Sequence, residues 1–272
     1  MAPSLHCSDR MDNAHTSNFS RRDVLSFIGS VVAVGFVGCG NSHSPTSPSS
    51  SSSSSSASSG TSTSTNSSVL TGSTDSLCTV TPALTEGPYF VDERLNRSNI
   101  RSDPSSGAVR AGVPLNMTLQ LSQISTLVGC TPLVGALVDV WHCDATGIYS
   151  DVSAQNTRGQ RFLRGYQLSD ANGQVQFTTI YPGWYQGRAV HLHFKVRTNP
   201  NSASGLEFTS QLFFDETITD LVHAQAPYST KGRRDTLNTS DGIYQSGGTQ
   251  LLMPMTASGG GYNGALFIGV RV

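Results

Sequence analysis

Charge of either sign is scarce in this chain. Only 13% of its 272 residues are Asp, Glu, Lys or Arg, and the formal net charge at pH 7 is -1. A partner held by electrostatic attraction, such as nucleic acid or an acidic membrane surface, is therefore not expected. The sequence also lacks an internal repeat, a glycine-rich phosphate loop and any long stretch of helical periodicity. No repeat architecture and no phosphate-binding loop are therefore predicted.

Long apolar runs are absent too, apart from one near the N-terminus. Residues 24–38 (VLSFIGSVVAVGFVG) are too few for a membrane span but enough for the core of a signal peptide. Arg21 and Arg22 resemble a twin-arginine export signal, although a valine stands where such signals usually carry phenylalanine. FVGC resembles a lipobox that would lipidate Cys39; the alternative is a cleaved signal with an incidental cysteine. Residues 1–39 are therefore predicted to direct export, giving a cell-envelope lipoprotein or a secreted protein.

A low-complexity segment follows the predicted signal. Residues 40–77 are almost entirely Ser, Thr, Gly, Pro and Asn. Such a segment cannot bury enough apolar surface to offset the entropy lost on ordering. It is predicted to be a disordered tether, with a glycosylated stalk as the weaker alternative, and membrane contact is expected only through the lipid anchor. The folded part is then residues 78–272, the size of one domain.

Three cysteines remain in the predicted domain, as an exported protein with one disulfide and one free thiol would have. Cys78 opens the domain, and Cys130 lies in a Gly/Pro-flanked loop, so both are expected at the periphery. Cys143 follows Trp141 in an apolar strand and is expected to be a buried thiol. Cys78 and Cys130 are therefore predicted to form a disulfide, with no role in zinc binding.

Short β-type runs separated by turn residues dominate the domain. They are PLNMTLQLS, GALVDVWHC, ANGQVQFTTI, AVHLHFKVR, EFTSQLFFD and GALFIGVRV. Six or more strands at this spacing favour an all-β fold, an antiparallel β-sandwich with irregular loops and at most short helices. The one helix candidate is DETITDLVHA, with Asp215 as its candidate N-cap.

Two histidines, His191 and His193, lie two residues apart in the run AVHLHFKVR. Alternate residues of a strand point to the same side, so the two imidazoles project together while Leu192 and Phe194 face the other way. A metal ion could bind such a pair, but many same-face histidine pairs bind nothing. The pair alone leaves both interpretations open.

Tyrosines rather than carboxylates accompany the histidine pair. Tyr181 and Tyr185 precede it, and Tyr149 lies upstream in CDATGIYSD. No carboxylate lies within the motif, as a two-histidine, one-carboxylate iron site would require. A phenolate is a hard anionic ligand, and Fe(III) is a hard Lewis acid that favours the deprotonated phenol. Two imidazoles and two phenolates would nearly balance the charge of a ferric ion.

Four motifs occur in a fixed order between Thr81 and Phe214: TPALTEGPYF, VDVWHCDATGIYSD, GWYQGRAVHLHFKV and SQLFF. In this order they resemble the intradiol ring-cleavage dioxygenases, the family of protocatechuate 3,4-dioxygenase and catechol 1,2-dioxygenase. The four together are far more specific than any one of them. The resemblance implies a non-heme Fe(III) ion as cofactor and no organic cofactor.

The resemblance also implies the metal ligands, because that family holds its ferric ion with two tyrosines and two histidines. The first tyrosine follows the buried strand that carries a tryptophan and corresponds to Tyr149. The second lies in a P-G-x-Y turn and corresponds to Tyr185, while the histidines correspond to His191 and His193. Tyr181 comes too early in the pattern and is expected to be a packing residue.

Three further residues take roles from the same resemblance. Arg188 would face the bound catechol and stabilise negative charge that develops on its ring. Gln211 would lie beside the iron and hydrogen-bond to the substrate, and Tyr89 is expected to line the mouth of the pocket. Only a Gln-Gly dipeptide separates Tyr185 from Arg188, fewer residues than in protocatechuate dioxygenase. This shortens the loop over the pocket and leaves substrate selectivity open.

The implied activity is a dioxygenase reaction. O2 would cleave the ring of a catechol-type substrate between its two hydroxyl-bearing carbons, giving a muconate-type product, with Tyr185 as a local base. One alternative is an exported metal-binding β-sandwich without catalysis, and another is a zinc hydrolase, which would need a well-placed carboxylate base. The two tyrosines and Arg188 have no purpose in a structural zinc site. The sequence predicts neither the preferred catechol nor the oligomeric state.

Other polar residues near these motifs are predicted to be structural. His142 is expected to be a hydrogen-bonded residue beside the site rather than a ligand. His223 is expected to be solvated or to cap its helix. Asp144 and Asp151, which flank Tyr149, are expected to form turns.

Overall fold

The computed structural model of the chain describes residues 78–127, 129–199 and 204–271. The predicted export signal (1–39) with its lipidation site Cys39, and the predicted tether (40–77), lie outside the described residues and stay predictions.

Two β-sheets form the body of the described chain. The first contains β1 (Pro114–Ser125), β2 (Gly129–Pro132), β5 (Gln174–Ile180), β8 (Met255–Ser258) and β9 (Gly261–Arg271). The second contains β3 (Leu137–Trp141), β4 (Arg164–Leu168), β6 (His191–Arg197) and β7 (Glu207–Phe213). The predicted all-β sandwich is therefore confirmed, and each of the six predicted runs contains a strand.

Strand direction differs between the two sheets. The second sheet has the order β4-β3-β6-β7 and is antiparallel throughout. In the first, β1 pairs antiparallel with β2 and β5 but parallel with β9. The first sheet is therefore mixed, and its parallel pair joins the first and last strands of the described chain.

The main core lies between the sheets and follows the period-two pattern of the strands. On β1 the alternate residues Leu115, Met117, Leu119 and Leu121 are all buried. They share one cluster with the alternate residues of β6, Leu192, Phe194 and Val196. Each such side chain contributes roughly 1.5–3 kcal/mol relative to an exposed position. This packing fixes which face of β6 turns away from the core.

Helices are few and short within the described residues. Helix α1 (Glu216–His223) begins after Asp215, whose carboxylate accepts hydrogen bonds from two backbone N–H groups of the first turn. The predicted N-cap is therefore confirmed. Helix α2 (Gly242–Gln245) begins after Asp241 in the same way. No helix among these residues is long and apolar enough to cross a membrane.

Residues 81–95, called the covering segment here, lie over the outer face of the second sheet. Hydrogen bonds and ion pairs tie the segment to the sheet: Leu84 N to Thr209 O, Gln211 Nε2 to Thr85 O, Arg164 Nη1 to Tyr89 O, Lys195 to Glu86, and Arg197 to Asp92. Because the segment shields this face, all seven residues of β6 are buried, including the polar ones. The fold therefore has a second, smaller interior outside the main core.

The predicted disulfide is present, although Cys130 lies in strand β2 and not in a loop. The structure joins Cys78 and Cys130 in a disulfide. Among the described cysteines, Cys143 is free and buried, and its thiol donates to the carbonyl of Gly183 at 3.4 Å. Burial raises the pKa of the Cys143 thiol to about 12. Cys143 is therefore an inert packing residue.

Candidate functional site

Strand β6 places two histidines on its outer face. His191 and His193 alternate with the core residue Leu192, and both are buried beneath the covering segment. His193 lies opposite Trp141 of β3 and Gln211 of β7. The strand register therefore brings residues from three strands to one place.

Two loops bring tyrosines to the same place. Tyr149 lies in the loop after β3, and Tyr185 lies in the loop before β6. A Cβ atom at Gly147 of the first loop would lie well under 3.0 Å from the carbonyl oxygen of Trp184 in the second, so only glycine permits this approach. Gly147 also has φ +83°, a conformation that other residues adopt at a cost. This contact between the loops fixes the separation of the two tyrosines.

The two loops also meet at a second glycine. A Cβ at Gly183 would be blocked by the carbonyls of Asp144 and Ala145, and Gly183 N–H donates to Asp144 O at 3.1 Å. The Asp144 carboxylate accepts from backbone N–H groups of its own loop, the turn role predicted for it. The loops therefore form one rigid support beneath the tyrosines.

The four side chains that the resemblance implies as metal ligands converge in one buried cluster. The Tyr185 hydroxyl lies 2.9 Å from His191 Nε2, and His191 Nε2 lies 3.1 Å from His193 Nε2. The Tyr149 ring lies 5.7 Å from the Tyr185 ring and 6.2 Å from the His193 ring, between centroids. These four side chains could therefore hold one metal ion.

The hydrogen bonds of His191 fix a tautomer suited to metal binding. Its Nδ1 lies 2.7 Å from the carbonyl oxygen of Ala189, so Nδ1 carries the proton and Nε2 presents a lone pair to the cluster. Burial lowers the pKa of His191 to about 3. Burial, together with neighbouring His191, lowers the pKa of His193 well below its usual value. Both imidazoles are therefore neutral at physiological pH.

The phenols are buried to different degrees. Tyr149 is fully buried, and its hydroxyl makes no hydrogen bond with any described residue. Burial, followed by the neighbouring Cys143 and Tyr185, raises the pKa of Tyr149 well above its usual value. Tyr185 is half-buried, and burial raises its pKa to about 12. Without a cation both phenols stay protonated, so the phenolate forms need a strong Lewis acid beside them.

Arg188 points its guanidinium at this cluster. Its Nη1 lies 3.4 Å from His191 Nε2, and its Nη2 donates to Gln211 Oε1 at 2.6 Å. Gln211 is buried and donates from Nε2 to the carbonyl of Thr85 in the covering segment at 2.7 Å. The structure therefore brings both residues to the site that the sequence predicts for them.

Asp241 also belongs to the surroundings of the site, although no pattern in the sequence predicted this role. Its buried carboxylate accepts from Arg188 Nε at 2.8 Å and from the N–H of Ala189 at 2.8 Å. Burial would raise the pKa of Asp241, but these hydrogen bonds outweigh it, so the pKa lies below the usual range. The sequence signal was an Asp before the short run GIYQ, which indicates a helix N-cap and gives no hint of Arg188, 53 residues away.

Three neighbours complete the surroundings of the cluster. Tyr89 packs its ring 4.6 Å from Tyr149 and 6.3 Å from Tyr185, so it lies against both phenols. Trp141 stacks on His193 at 5.0 Å with an interplanar angle of 9°. A Cβ at Gly87 would lie 3.3 Å from His193 Cε1, so a larger residue there would press on the imidazole. Trp141 and Gly87 were also missed as neighbours of the site.

Several residues near the motifs are structural, as the sequence predicts. Tyr181 is buried in the main core, and its hydroxyl lies 2.7 Å from Thr219 Oγ1. His142 is buried with both ring nitrogens bonded, Nδ1 to Cys143 O and Nε2 to Thr179 Oγ1. The Asp151 carboxylate accepts from the N–H of Gly159 and closes a turn. None of these three side chains points into the cluster of phenols and imidazoles.

His223 corrects one expectation, because it is not solvated. It lies in the last turn of α1, and only 9% of the residue is exposed. Its Nε2 lies 3.1 Å from the carbonyl of Pro182, and its ring stacks on Tyr228. Thr219 and Val222 are also buried, so His223 belongs to the inward face of the helix, which the polar sequence around it obscured.

Carboxylates do not supply a metal site in the described parts of the chain. No group of three or more His, Cys, Asp or Glu side chains among these residues is arranged to hold a metal ion.

Comparisons with known proteins agree with this geometry. A sequence model of a dioxygenase family matches residues 85–241, a stretch that contains all four implied ligands, Tyr89, Arg188 and Gln211. A chlorocatechol 1,2-dioxygenase from Pseudomonas putida is 26% identical over 174 residues, which are 55% of this chain and 59% of that protein. A catechol 1,2-dioxygenase from Candida albicans is 29% identical over 133 residues. The chain spans about half the length of the curated relatives it matches.

Solved structures extend the similarity to the whole domain. An intradiol ring-cleavage dioxygenase from Tetranychus urticae is 32% identical, with a TM-score of 0.61 over 71% of this chain and 95% of that chain. The dioxygenase domain of a dioxygenase and carbohydrate-binding protein fusion from Streptomyces sp. SirexAA-E is 27% identical, with a TM-score of 0.51 over 71% and 99%. The sequence match and the shared fold show that this chain belongs to the intradiol ring-cleavage dioxygenase family.

Proposed function

We propose that the protein is a non-heme Fe(III) dioxygenase that cleaves catechol-type rings with O2 between their two hydroxyl-bearing carbons, giving muconate-type products. The observation that carries the proposal is the convergence of His191, His193, Tyr149 and Tyr185 in one buried cluster. Family membership supports the reaction class.

The donor set fits a ferric ion. Two neutral imidazoles and two phenolates would leave a trivalent ion with one net positive charge, and hard phenolates suit a hard cation. The Tyr149 hydroxyl is buried without a partner among the described residues, and a metal bond would satisfy it. When bound, the ferric ion supplies Lewis acidity and accepts electron density from a catecholate. No organic cofactor is needed.

The two phenols have different roles in this proposal. Tyr149 is fully buried, and we assign it as the phenol that stays in the cluster. Tyr185 is half-buried in a loop followed by the exposed Gln186 and Gly187, so its side chain can swing away when a catechol binds. Its phenolate oxygen, whose pKa burial raises to about 12, then accepts a proton from one catechol hydroxyl.

Arg188 and Gln211 act on the bound substrate. The guanidinium of Arg188 places a fixed positive charge beside the ring as negative charge develops there. The Gln211 carbonyl is engaged by Arg188 and its amide by Thr85, which holds the pair in one orientation. Tyr89, packed against both phenols, bounds the space left for the substrate.

The N-terminal sequence adds a location to the proposal. An export signal at residues 1–39 and a tether at 40–77 would place the enzyme at the cell envelope or outside the cell. Its substrates would then be phenols available outside the cytoplasm.

Colour provides the first test. Tyrosinate-to-Fe(III) charge transfer should make the iron-loaded protein red-brown, and Tyr149→Phe should shift or remove that absorption band. The matched control is Tyr181→Phe, a buried tyrosine outside the cluster, which should leave the band unchanged. A colourless protein that holds stoichiometric zinc after iron-replete expression would refute the ferric proposal and favour the non-catalytic alternative.

Oxygen uptake provides the second test. A coloured protein should consume O2 with at least one of catechol, hydroxyquinol and protocatechuate, and the ring-opened product should have a muconate-type spectrum. Tyr185→Phe should retain some colour through Tyr149 but lose most of its turnover. A coloured protein without uptake on any of the three would contradict the proposed activity.

A further inference from the structure

Arg188 is held at two of its three nitrogens. Its Nε donates to Asp241 Oδ2 at 2.8 Å, and its Nη2 donates to Gln211 Oε1 at 2.6 Å. Nη1 remains directed at the cluster, 3.4 Å from His191 Nε2. The orientation of the guanidinium is therefore set by groups on its far edge.

Asp241 is built into the protein more firmly than a surface ion pair. Its side chain is fully buried, and the Arg188 side chain is only 16% exposed. Oδ2 accepts from Arg188 Nε and Ala189 N, while Oδ1 accepts from the N–H groups of Ile243 and Tyr244 at 2.7 and 3.1 Å. Helix α2 thus fixes the carboxylate, and the carboxylate fixes the arginine.

A single residue therefore links three structural units. The Oδ1 atom of Asp241 caps α2. Its Oδ2 atom accepts from the backbone N–H of Ala189, just before β6, and from the side chain of Arg188. An arginine has four flexible side-chain torsions, so a cation meant to act at one point gains from a partner that restricts them. Gln211 is a neutral partner at a different nitrogen, so its hydrogen bond is expected to restrain the guanidinium less than the charge-assisted hydrogen bond to Asp241.

We propose that Asp241 is a positioning residue that orients Arg188 toward the bound catechol. This inference rests on the proposed function for the role of Arg188. The competing possibility is that Asp241 serves only to cap α2. The two possibilities differ in what the loss of the carboxylate does when Arg188 is present and when it is absent.

The test compares Asp241→Asn with Asp215→Asn in the iron-loaded full chain. Asparagine is a good N-cap, so Asp241→Asn keeps the cap of α2 but places an amide, a donor, against Arg188 Nε. Asp215→Asn makes the same change at the N-cap of α1, where the carboxylate accepts from Thr217 and Ile218 instead. We expect kcat to fall about tenfold or more for Asp241→Asn and less than about twofold for Asp215→Asn.

Measurements of catechol binding without turnover distinguish a loss of Arg188 orientation from a general disruption of the site. Catechol binding in the absence of O2, the iron content and the charge-transfer band should change less than about threefold in Asp241→Asn, because the four ligands keep their places. In an Arg188→Ala background, the further change Asp241→Asn should have no added effect on kcat. An equal loss in both backgrounds, or equal losses in the Asp241 and Asp215 variants, would overturn the inference.

A crystal structure of the Asp241→Asn variant tests the orientation of Arg188 independently of the proposed function. We expect the guanidinium to lose its contact with Gln211 Oε1 while His191 and His193 stay in place. An unchanged guanidinium would overturn the inference even if the wild-type enzyme is active. If the wild type is inactive with every catechol, the proposed function fails, and a displaced guanidinium still establishes the positioning role. Should the Asn variant not fold, Asp241→Ser removes the carboxylate and keeps a capping oxygen.

Discussion

The contact between the two tyrosine loops can be tested at Gly147, whose φ of +83° and proximity to Trp184 O both require glycine. The substitution Gly147→Ala adds one methyl group at a place where the backbone of the neighbouring loop already lies. Ordinary contact distances would require the loops to separate by about 1 Å. Because each loop carries one phenol of the cluster, the separation should disturb both stability and metal binding.

The expected loss of stability has two parts. A non-glycine residue at this φ costs about 1–2 kcal/mol, and the forced separation of packed backbones costs about 1–3 kcal/mol more. Gly159 isolates the first part, because it has φ +80° and a Cβ there would meet no described atom within 4 Å. Gly159→Ala should therefore lose about 1–2 kcal/mol, and Gly147→Ala about 2–5 kcal/mol in total.

The assay is the free energy of unfolding by denaturant for both variants, with the disulfide intact and the metal removed. The visible absorbance after ferric loading is then compared at equal folded fraction. Gly147→Ala should bind iron more weakly or with a shifted charge-transfer band, and Gly159→Ala should match the wild type. Equal destabilisation of the two variants, or an unaltered band in Gly147→Ala, would refute the claim that this contact sets the spacing of Tyr149 and Tyr185.

Two further predictions concern buried titratable groups. Burial lowers the pKa of His142 from 6.5 to about 4. Between pH 6.5 and pH 4 the folded state therefore binds fewer protons than the unfolded state, so the free energy of unfolding should fall as the pH drops through this range. At pH 4.5 the resulting loss of stability is about 2–3 kcal/mol, and His142→Gln should remove it from the measured pH dependence of unfolding. An unchanged pH dependence would contradict the assignment. Cys143 has a pKa of about 12 and is 1% exposed, so it should not react with a thiol reagent at pH 8 until the protein unfolds. Rapid labelling of the native protein would contradict this prediction and show that the loop carrying Cys143 opens.

Local patterns in the sequence were enough to predict most of the strands. The run PLNMTLQLS alternates apolar and polar residues, and β1 buries the apolar set against the other sheet. Strands β2, β4 and β8 were missed, because GCTP, RGYQL and MTAS are short and carry little alternation. The parallel pairing of β1 with β9 was also missed, since it joins distant segments and depends on the whole sheet.

The candidate site was predictable to the extent that its chemistry is carried by motifs. The i, i+2 spacing of His191 and His193 follows from strand geometry, and the tyrosines came from a resemblance in which four motifs share one order. His223 was placed wrongly, because burial of a helix face depends on what packs against it. Asp241 was not predicted because the whole of β6, β7 and α1 separates it from Arg188 along the chain.

The fold class, the family and the residue types of the cluster could be read from the sequence, because alternation, motif order and functional groups are local properties of the chain. Tertiary structure alone decided how these groups are used. It set the glycine contacts that hold two loops together, the covering segment that buries the outer face of the sheet, and the carboxylate of Asp241 behind Arg188. Burial and partner choice depend on residues far apart in the chain, so no local pattern contains them.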